Sequence, residues 1–278
     1  MKNHVVSSDS VARYEARIDC YVTDALRSGV RRFDDLLCML PGIYPTEVTA
    51  ALDRLSARTS LEWCDGNSRD TDPGRDGTHF FPRGVLPVPH PLDYDWRFSA
   101  TATRLLLATA SALSAQDSTL AVLGAPTVFA QAISDSLPRR FILFDTNPIA
   151  TALLAPLAPP QSVFCMDLLR DDIPELGVPA VIADPPWYPE YVTGFLWSTR
   201  HLLRIGGYAL LSLPPLGTRP GIEAERAATV AYACRLGLSL VRIEAGALPY
   251  LSPPFEQNAL SAQGLNGIPL RHCQTITA

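Results

Sequence analysis

From Thr119 onward the chain repeats one unit: a short apolar run, a loop opened by Gly or Asp, then a helical stretch. Thr119-Leu-Ala-Val-Leu123 leads into Gly124-Ala125-Pro126-Thr127 and a helix over 128–136. Arg140-Phe-Ile-Leu-Phe144 ends at Asp145-Thr-Asn-Pro148, with a helix over 149–157, and Ser162-Val-Phe-Cys165 ends near Asp167. Pro179-Ala-Val-Ile-Ala183 stops at Asp184-Pro185-Pro186-Trp187, where two prolines end any strand ladder, and a helix follows over 191–203. Ile205-Gly-Gly207 precedes a fifth run, Tyr208–Leu213. A helix then covers 222–236, and Leu238–Ala245 is a sixth run. Continuous apolar runs alternating with helices are the pattern of parallel strands buried on both faces. The expected fold is α/β, a doubly wound Rossmann-like sheet. In such sheets ligands bind beyond the carboxyl ends of the strands, which is where Gly124, Asp145, Asp167 and Asp184 stand.

The first third of the chain reads differently. Tyr14, Ile18, Tyr21, Val22, Ala25 and Leu26 recur at three and four, with Gly29 as a stop, and Arg31–Leu40 is a second helix ended by Pro41-Gly42. A third opens at Pro45 or Thr46, with Val48, Ala51, Leu52 and Leu55 on one face. Ser60–Cys64 and Thr78–Phe81 flank a Gly/Asp/Arg-rich loop that reads as a two-stranded wing. Three helices and a hairpin form a winged-helix-like α+β unit, expected over residues 1–82. Such units read DNA with the third helix or serve as protein-interaction and dimerisation modules. Here that helix offers Arg54 and Arg58 against Glu47 and Asp53, which favours the second use. Pro82, Pro87, Pro89 and Pro91 stiffen a linker over 83–91, and the sheet domain spans 92–278. Within it, Leu92–Phe98 is a dense aromatic and charged cluster ahead of a helix over 101–113, either lying across a pocket or packing that helix on the core.

Composition narrows the partners. A formal charge of -5 argues against a strong non-specific grip on nucleic acid. The six cysteines form no CxxC pair and no zinc spacing, most sit beside apolar residues, and they are expected reduced and buried; no metal site is expected. Met1-Lys-Asn-His-Val-Val-Ser-Ser is no signal peptide and no apolar run has membrane-spanning length, so a cytoplasmic protein without membrane contact is expected.

Asp184-Pro185-Pro186-Trp187 carries the chemistry. A carboxylate and the following peptide carbonyl accept hydrogen bonds from an NH2 group and aim its lone pair, rigid prolines hold the geometry, and Trp187 or Tyr188 offers a stacking surface. The alternative use of such a tetrapeptide is a strand-ending turn. With this motif and the order of its parts, the stretch from 92 to about 260 resembles the class I S-adenosylmethionine-dependent methyltransferases, specifically the adenine-N6 type that methylates amino groups. The resemblance implies S-adenosylmethionine as cofactor. Gly124 and Ala125 would lie under its methionine portion, Asp145 at the ribose hydroxyls, Asp167 at the adenine ring, and Asp184 between cofactor and acceptor. Catalysis would fall to Asp184, Pro185, Pro186, Trp187 and Tyr188. The acceptor would be an amine, in a nucleobase of nucleic acid or in a small molecule.

The sequence departs from that family where Gly124 is followed by Ala125 and Pro126 in place of further spaced glycines. Two other readings therefore stand beside the first. A winged helix joined to an Asp-Pro-Pro domain also resembles the branched-chain polyamine synthases, which transfer aminopropyl from decarboxylated S-adenosylmethionine. Those carry acids where this chain has Ala125-Pro126-Thr127. The other reading is a catalytically silent scaffold that binds a partner, or a second copy as a homodimer, through the winged helix. Pro249–Asn258 reads as a hairpin connection, or as a lid with Glu256 and Asn258 as polar contacts, and the tail as a terminal strand or a frayed end.

Overall fold

The apolar runs pair into one mixed sheet. The computed structural model describes residues 8–40, 42–58, 86–87, 89, 96–265 and the backbone of 270–277. Its strands are β1 (Arg97–Phe98), β2 (Leu120–Leu123), β3 (Phe141–Asp145), β4 (Val163–Cys165), β5 (Val178–Ala183), β6 (Leu203–Leu213), β7 (Arg242–Leu251) and β8 (Leu270–Thr277). Their order is β1-β7-β8-β6-β5-β2-β3-β4. β4, β3, β2, β5 and β6 run parallel, as the βα alternation requires. β8 enters antiparallel between β6 and β7, and β1 closes the far edge against β7.

Nine helices complete the described chain: α1 (Ser8–Arg27), α2 (Phe33–Met39), α3 (Pro45–Arg58), α4 (Ala100–Ala112), α5 (Pro126–Ser134), α6 (Pro148–Leu154), α7 (Pro189–Leu202), α8 (Ile222–Arg235) and α9 (Pro254–Ser261). Alternate residues of each parallel strand enter opposite cores. Leu120 and Val122 of β2 join one with Leu106, Val128 and Phe129 of α4 and α5, while Ala121 and Leu123 join the other with Val192, Phe195 and Leu196 of α7. β2, β3 and β5 are buried on both sides, which is why their sequences are almost continuously apolar. Local chemistry starts the helices. Ser99 Oγ caps α4 by accepting from Ala102 N–H at 3.2 Å, and Asn147 Oδ1 caps α6 by accepting from Ile149 and Ala150 N–H at 3.0 Å each. Prolines occupy the first turn of α5, α6, α7 and α9, where no N–H is required.

The three N-terminal helices pack around Ile18, Val22, Leu36, Val48 and Ala51, and their core also takes in Leu260 and Leu265 from the C-terminal part. Asp19 on α1 accepts from Arg54 of α3 at 2.7 and 3.0 Å and from Arg58 at 3.4 Å. The bond to Asp19 holds the Arg54 guanidinium above its ordinary pKa. The two arginines considered above for nucleic acid thus brace α3 against α1. The expected wing, Ser60–Cys64 and Thr78–Phe81, lies outside the described residues, as does most of 83–91.

Four expectations need correction. The sixth run does not form a strand over 238–245. β7 covers Arg242–Leu251, because pairing with β8 carries it on through Pro249-Tyr250-Leu251 across an irregularity between Glu244 and Leu248. The segment read as a hairpin or lid continues as α9, in which Asn258 is exposed. Cys20, Cys165 and Cys234 are exposed and free, not buried: an apolar neighbour in sequence points to the other face of a strand or helix. Tyr21 likewise falls outside the helical core at 41% exposure. The tail is a strand, β8.

Replacing Asp19 with Ala leaves Arg54 without its carboxylate in a partly buried site. The expected loss is about 1–2 kcal/mol of stability, read as a lower denaturant midpoint.

Candidate functional site

Strand order dictates where the site is. The chain moves outward from β2 to β3 and β4, then crosses back to β5 on the other side of β2, so the loops after β2 and β5 leave the sheet in opposite directions. A crevice opens between them at the carboxyl ends. Two backbone bonds pin its floor: Gly124 N–H to the Phe144 carbonyl and Asp184 N–H to the Leu123 carbonyl, both 2.9 Å.

Gly124 has φ +60, and a Cβ there would lie 2.9 Å from the Phe195 ring and 3.0 Å from the Asp184 carbonyl oxygen. Only glycine supplies both the left-handed turn and the close approach. Beside it lies a cavity of about 660 Å³ that brings together Gly124, Asp145, Asp167, Asp184, Pro185, Pro186, Trp187 and Tyr188. Of the residues singled out above, Ala125 is placed elsewhere. It is 2% exposed and packs into the core beneath the turn, because its place just before α5 turns it inward.

The acids have defined surroundings. Asp145 is buried at the end of β3, and its Oδ1 accepts from Asn147 N–H at 2.8 Å. Asp167 Oδ1 accepts from Leu169 N–H at 2.9 Å, and Oδ2 lies 3.5 Å from Arg170 Nε. Both therefore shape turns and line the cavity. Asp184 accepts a short hydrogen bond at Oδ1 from Tyr250 Oη, which lies 2.6 Å from Ser212 Oγ. Tyr250 stacks on Phe98 at 4.6 Å and meets the edges of Trp187 at 5.6 Å and Trp96 at 6.4 Å. Trp96, from the aromatic cluster ahead of α4, both lines the cavity and packs on Phe255, which unites its two expected roles. Trp187 is half-buried. Tyr188 is 49% exposed and leans toward Tyr191 at 6.4 Å.

Several lining residues were not singled out by sequence. Tyr250 lay within the Pro249–Asn258 run, but its bond to Asp184 depends on β7 reaching across the sheet. Thr218 and Arg219 come from the loop after β6, and Tyr44 from the turn before α3. Arg219 donates to the Trp187 carbonyl at 2.6 Å and pairs with Glu225 at 2.5 Å, so it holds the motif in place. Nearby, burial pushes the Arg226 guanidinium below its ordinary pKa while it donates to the Pro214 carbonyl. Among the described residues no cluster of His, Cys, Asp and Glu suits a metal ion, and no helix is long and apolar enough to cross a membrane.

The Gly124 turn yields a direct test. Gly124→Ala is expected to destabilise the fold by about 1–3 kcal/mol through the left-handed backbone and the displaced Phe195. Thermal unfolding measures it, and a melting temperature equal to wild type would show that the turn tolerates a side chain.

No protein-family profile matches the sequence, and no curated protein does. Solved structures do. The branched-chain polyamine synthase of Thermus thermophilus, in complex with N4-aminopropylspermidine and 5′-methylthioadenosine, superposes with a TM-score of 0.66 at 15% identity, over 98% of this chain and 93% of that one. A mutein of that enzyme gives 0.66 at 14% identity, over 97% and 90%. A Pyrococcus horikoshii protein assigned as an RNA methyltransferase gives 0.50 at 16% identity, over 70% and 89%. With its parallel sheet, order reversal at β2 and inserted antiparallel β8, the chain has the Rossmann-like fold shared by class I S-adenosylmethionine-dependent methyltransferases and the branched-chain polyamine synthase.

Proposed function

We propose that this protein is an S-adenosylmethionine-dependent transferase that methylates an amino nitrogen of a planar acceptor, held by Asp184-Pro185-Pro186-Trp187. The observation that carries the reading is the Asp184 carboxylate, fixed by Tyr250 at the end of β5, in one cavity with the strand-end acids Asp145 and Asp167. The residues present fit the cofactor. They line one cavity, in which Asp145 would hold the ribose hydroxyls and Asp167 with Met166 and Leu168 would face the adenine ring, with Gly124 bounding it beside the Asp184 carbonyl. When bound, S-adenosylmethionine would supply an electrophilic methyl on its sulfonium.

The chain's own residues do the rest. The Asp184 carboxylate and the Pro185 carbonyl accept the two N–H groups of the amine, which leaves its lone pair as the exposed nucleophile. Pro185 and Pro186 hold that carbonyl rigid, and Arg219 anchors the Trp187 carbonyl beside it. Trp187 and Tyr188 present aromatic surface to a planar group. Since the amine proton is lost only after the new N–C bond exists, no strong base is required, and Asp184 or water receives it.

A second reading, aminopropyl transfer, has one observation in its favour. The likeness to the polyamine synthase extends over the N-terminal helices as well as the sheet. Charge opposes it. The turn after β2 and the start of α5 read Gly124-Ala125-Pro126-Thr127, without an acid, and Arg170 and Arg219 line the cavity together with Asp145, Asp167 and Asp184. A polycationic acceptor calls for a clear excess of carboxylates near its amines, whereas a neutral planar amine does not.

Calorimetric titration with S-adenosylmethionine, S-adenosylhomocysteine and decarboxylated S-adenosylmethionine separates the readings. Methyl transfer predicts that the first two bind with a Kd on the order of micromolar, about −8 kcal/mol, and that Asp145→Ala weakens both about tenfold or more. Preference for the decarboxylated form selects aminopropyl transfer, and silence from all three leaves a scaffold. Asp184→Ala is expected to keep S-adenosylhomocysteine binding while turnover, followed by isotope transfer to adenosine, RNA or spermidine, falls about 100-fold.

A further inference from the structure

The N-terminal helices do more than precede the sheet. Tyr14 of α1 donates from Oη to the Gly217 carbonyl at 3.0 Å, and Arg17 pairs with Glu223 at the start of α8. In the turn before α3, Gly42 has φ +76 and lies so close to Pro215 that a Cβ would overlap the proline ring. A Cβ on Gly217 would in turn overlap Ile43. Gly42 and Ile43 therefore press on the loop between β6 and α8, and the next residue, Tyr44, lines the cavity together with Thr218 and Arg219. That loop has its own braces, since Thr218 Oγ1 donates to the Pro215 carbonyl at 2.8 Å and Arg226 to the Pro214 carbonyl. Its Arg219 is the residue that anchors the Trp187 carbonyl.

We infer that the N-terminal three-helix unit is a built part of the acceptor pocket. Tyr44 is its substrate-contacting wall, and the 42–44 turn, through Pro215, Gly217 and Arg219, is the clamp that positions Trp187. The inference rests on the transferase reading above and adds to it a specificity-determining residue from the N-terminal unit. It also describes the class of acceptor. A planar amine that enters the cavity has Tyr44 and Trp187 as aromatic walls and Asp184 at its nitrogen, so its ring, and not a polyanionic backbone, provides most of the recognition. The braced arginines agree with this: Arg54 and Arg58 face Asp19 on α1, and Arg17 faces Glu223.

Two measurements test it on the full-length protein. Amide hydrogen exchange is compared between wild type and the mild double variant Tyr14→Phe/Arg17→Ala, which removes the bonds of the Tyr14 hydroxyl and one ion pair while keeping the Tyr14 ring in the N-terminal core. Exchange at Leu216–Arg219 and at Tyr188 is expected to rise about fivefold or more, with β2, β3 and β5 unchanged. In the second, Tyr44→Ala is expected to raise the KM for the acceptor methylated in the isotope assay about tenfold while the Kd for S-adenosylhomocysteine stays within about twofold of wild type; Tyr44→Phe restores the acceptor KM. An exchange increase confined to residues 8–58, or an acceptor KM indifferent to Tyr44→Ala, overturns the inference and leaves the transferase reading intact. Wild-type protein that binds no S-adenosylhomocysteine overturns the transferase reading, and this inference with it.

Discussion

Two backbone hydrogen bonds, Gly124 N–H to the Phe144 carbonyl and Asp184 N–H to the Leu123 carbonyl, tie the ends of β2, β3 and β5 into one floor. They extend the parallel ladder one residue past the strands, into the loops. Because Gly124 sits against the Asp184 carbonyl and the Phe195 ring, the first loop and the Asp-Pro-Pro loop cannot move independently. The acids at the ends of β3, β4 and β5 then line one cavity, Asp145 and Asp167 set by their own turns and Asp184 by Tyr250. Everything proposed for this site depends on that registration.

A second layer of restraint acts from outside the sheet. Tyr250 on β7 holds the Asp184 carboxylate, Arg219 holds the Trp187 carbonyl, and the N-terminal turn holds the loop that carries Arg219. Positioning of a weakly nucleophilic amine is worth more when its acceptors cannot relax, since the entropy of alignment is lost before reaction begins. The motif prolines restrict their own backbone, but their placement relative to the cavity comes from these longer-range bonds. The Tyr250 ring also bridges Trp96 to Trp187, so these three aromatic residues form one wall of the cavity, backed by the buried Phe98.

Charge separates the candidate chemistries more sharply than the fold does. The same sheet serves methyl and aminopropyl donors, and an identity near 15% over the whole chain reports architecture alone. Arg170, beside Asp167, and Arg219, paired with Glu225, line the cavity together with the three acids. The surroundings favour an acceptor recognised by shape and one pair of N–H groups over one drawn in by cationic attraction.

Much of this was legible in the residues. Parallel strands buried on both faces write themselves as continuous apolar runs, and strands that end in a ligand crevice end in Gly or Asp, so the sheet and the positions of Gly124, Asp145, Asp167 and Asp184 follow from local pattern. Helix starts were equally local, since Ser99 and Asn147 are caps and Pro126, Pro148 and Pro189 open their helices. Only the tertiary structure decided what those positions meet. The reach of β7 through Tyr250 depends on β8, about twenty residues later, lying alongside it. The burial of Ala125 beside an exposed turn, and the exposure of Cys165 beside apolar neighbours, depend on which face of an element turns outward. Arg219 and Tyr250 carry no local signal because the motif residues they hold, Trp187 and Asp184, lie tens of residues away in the chain. Periodicity encodes what a segment buries, whereas contacts between segments are set by packing.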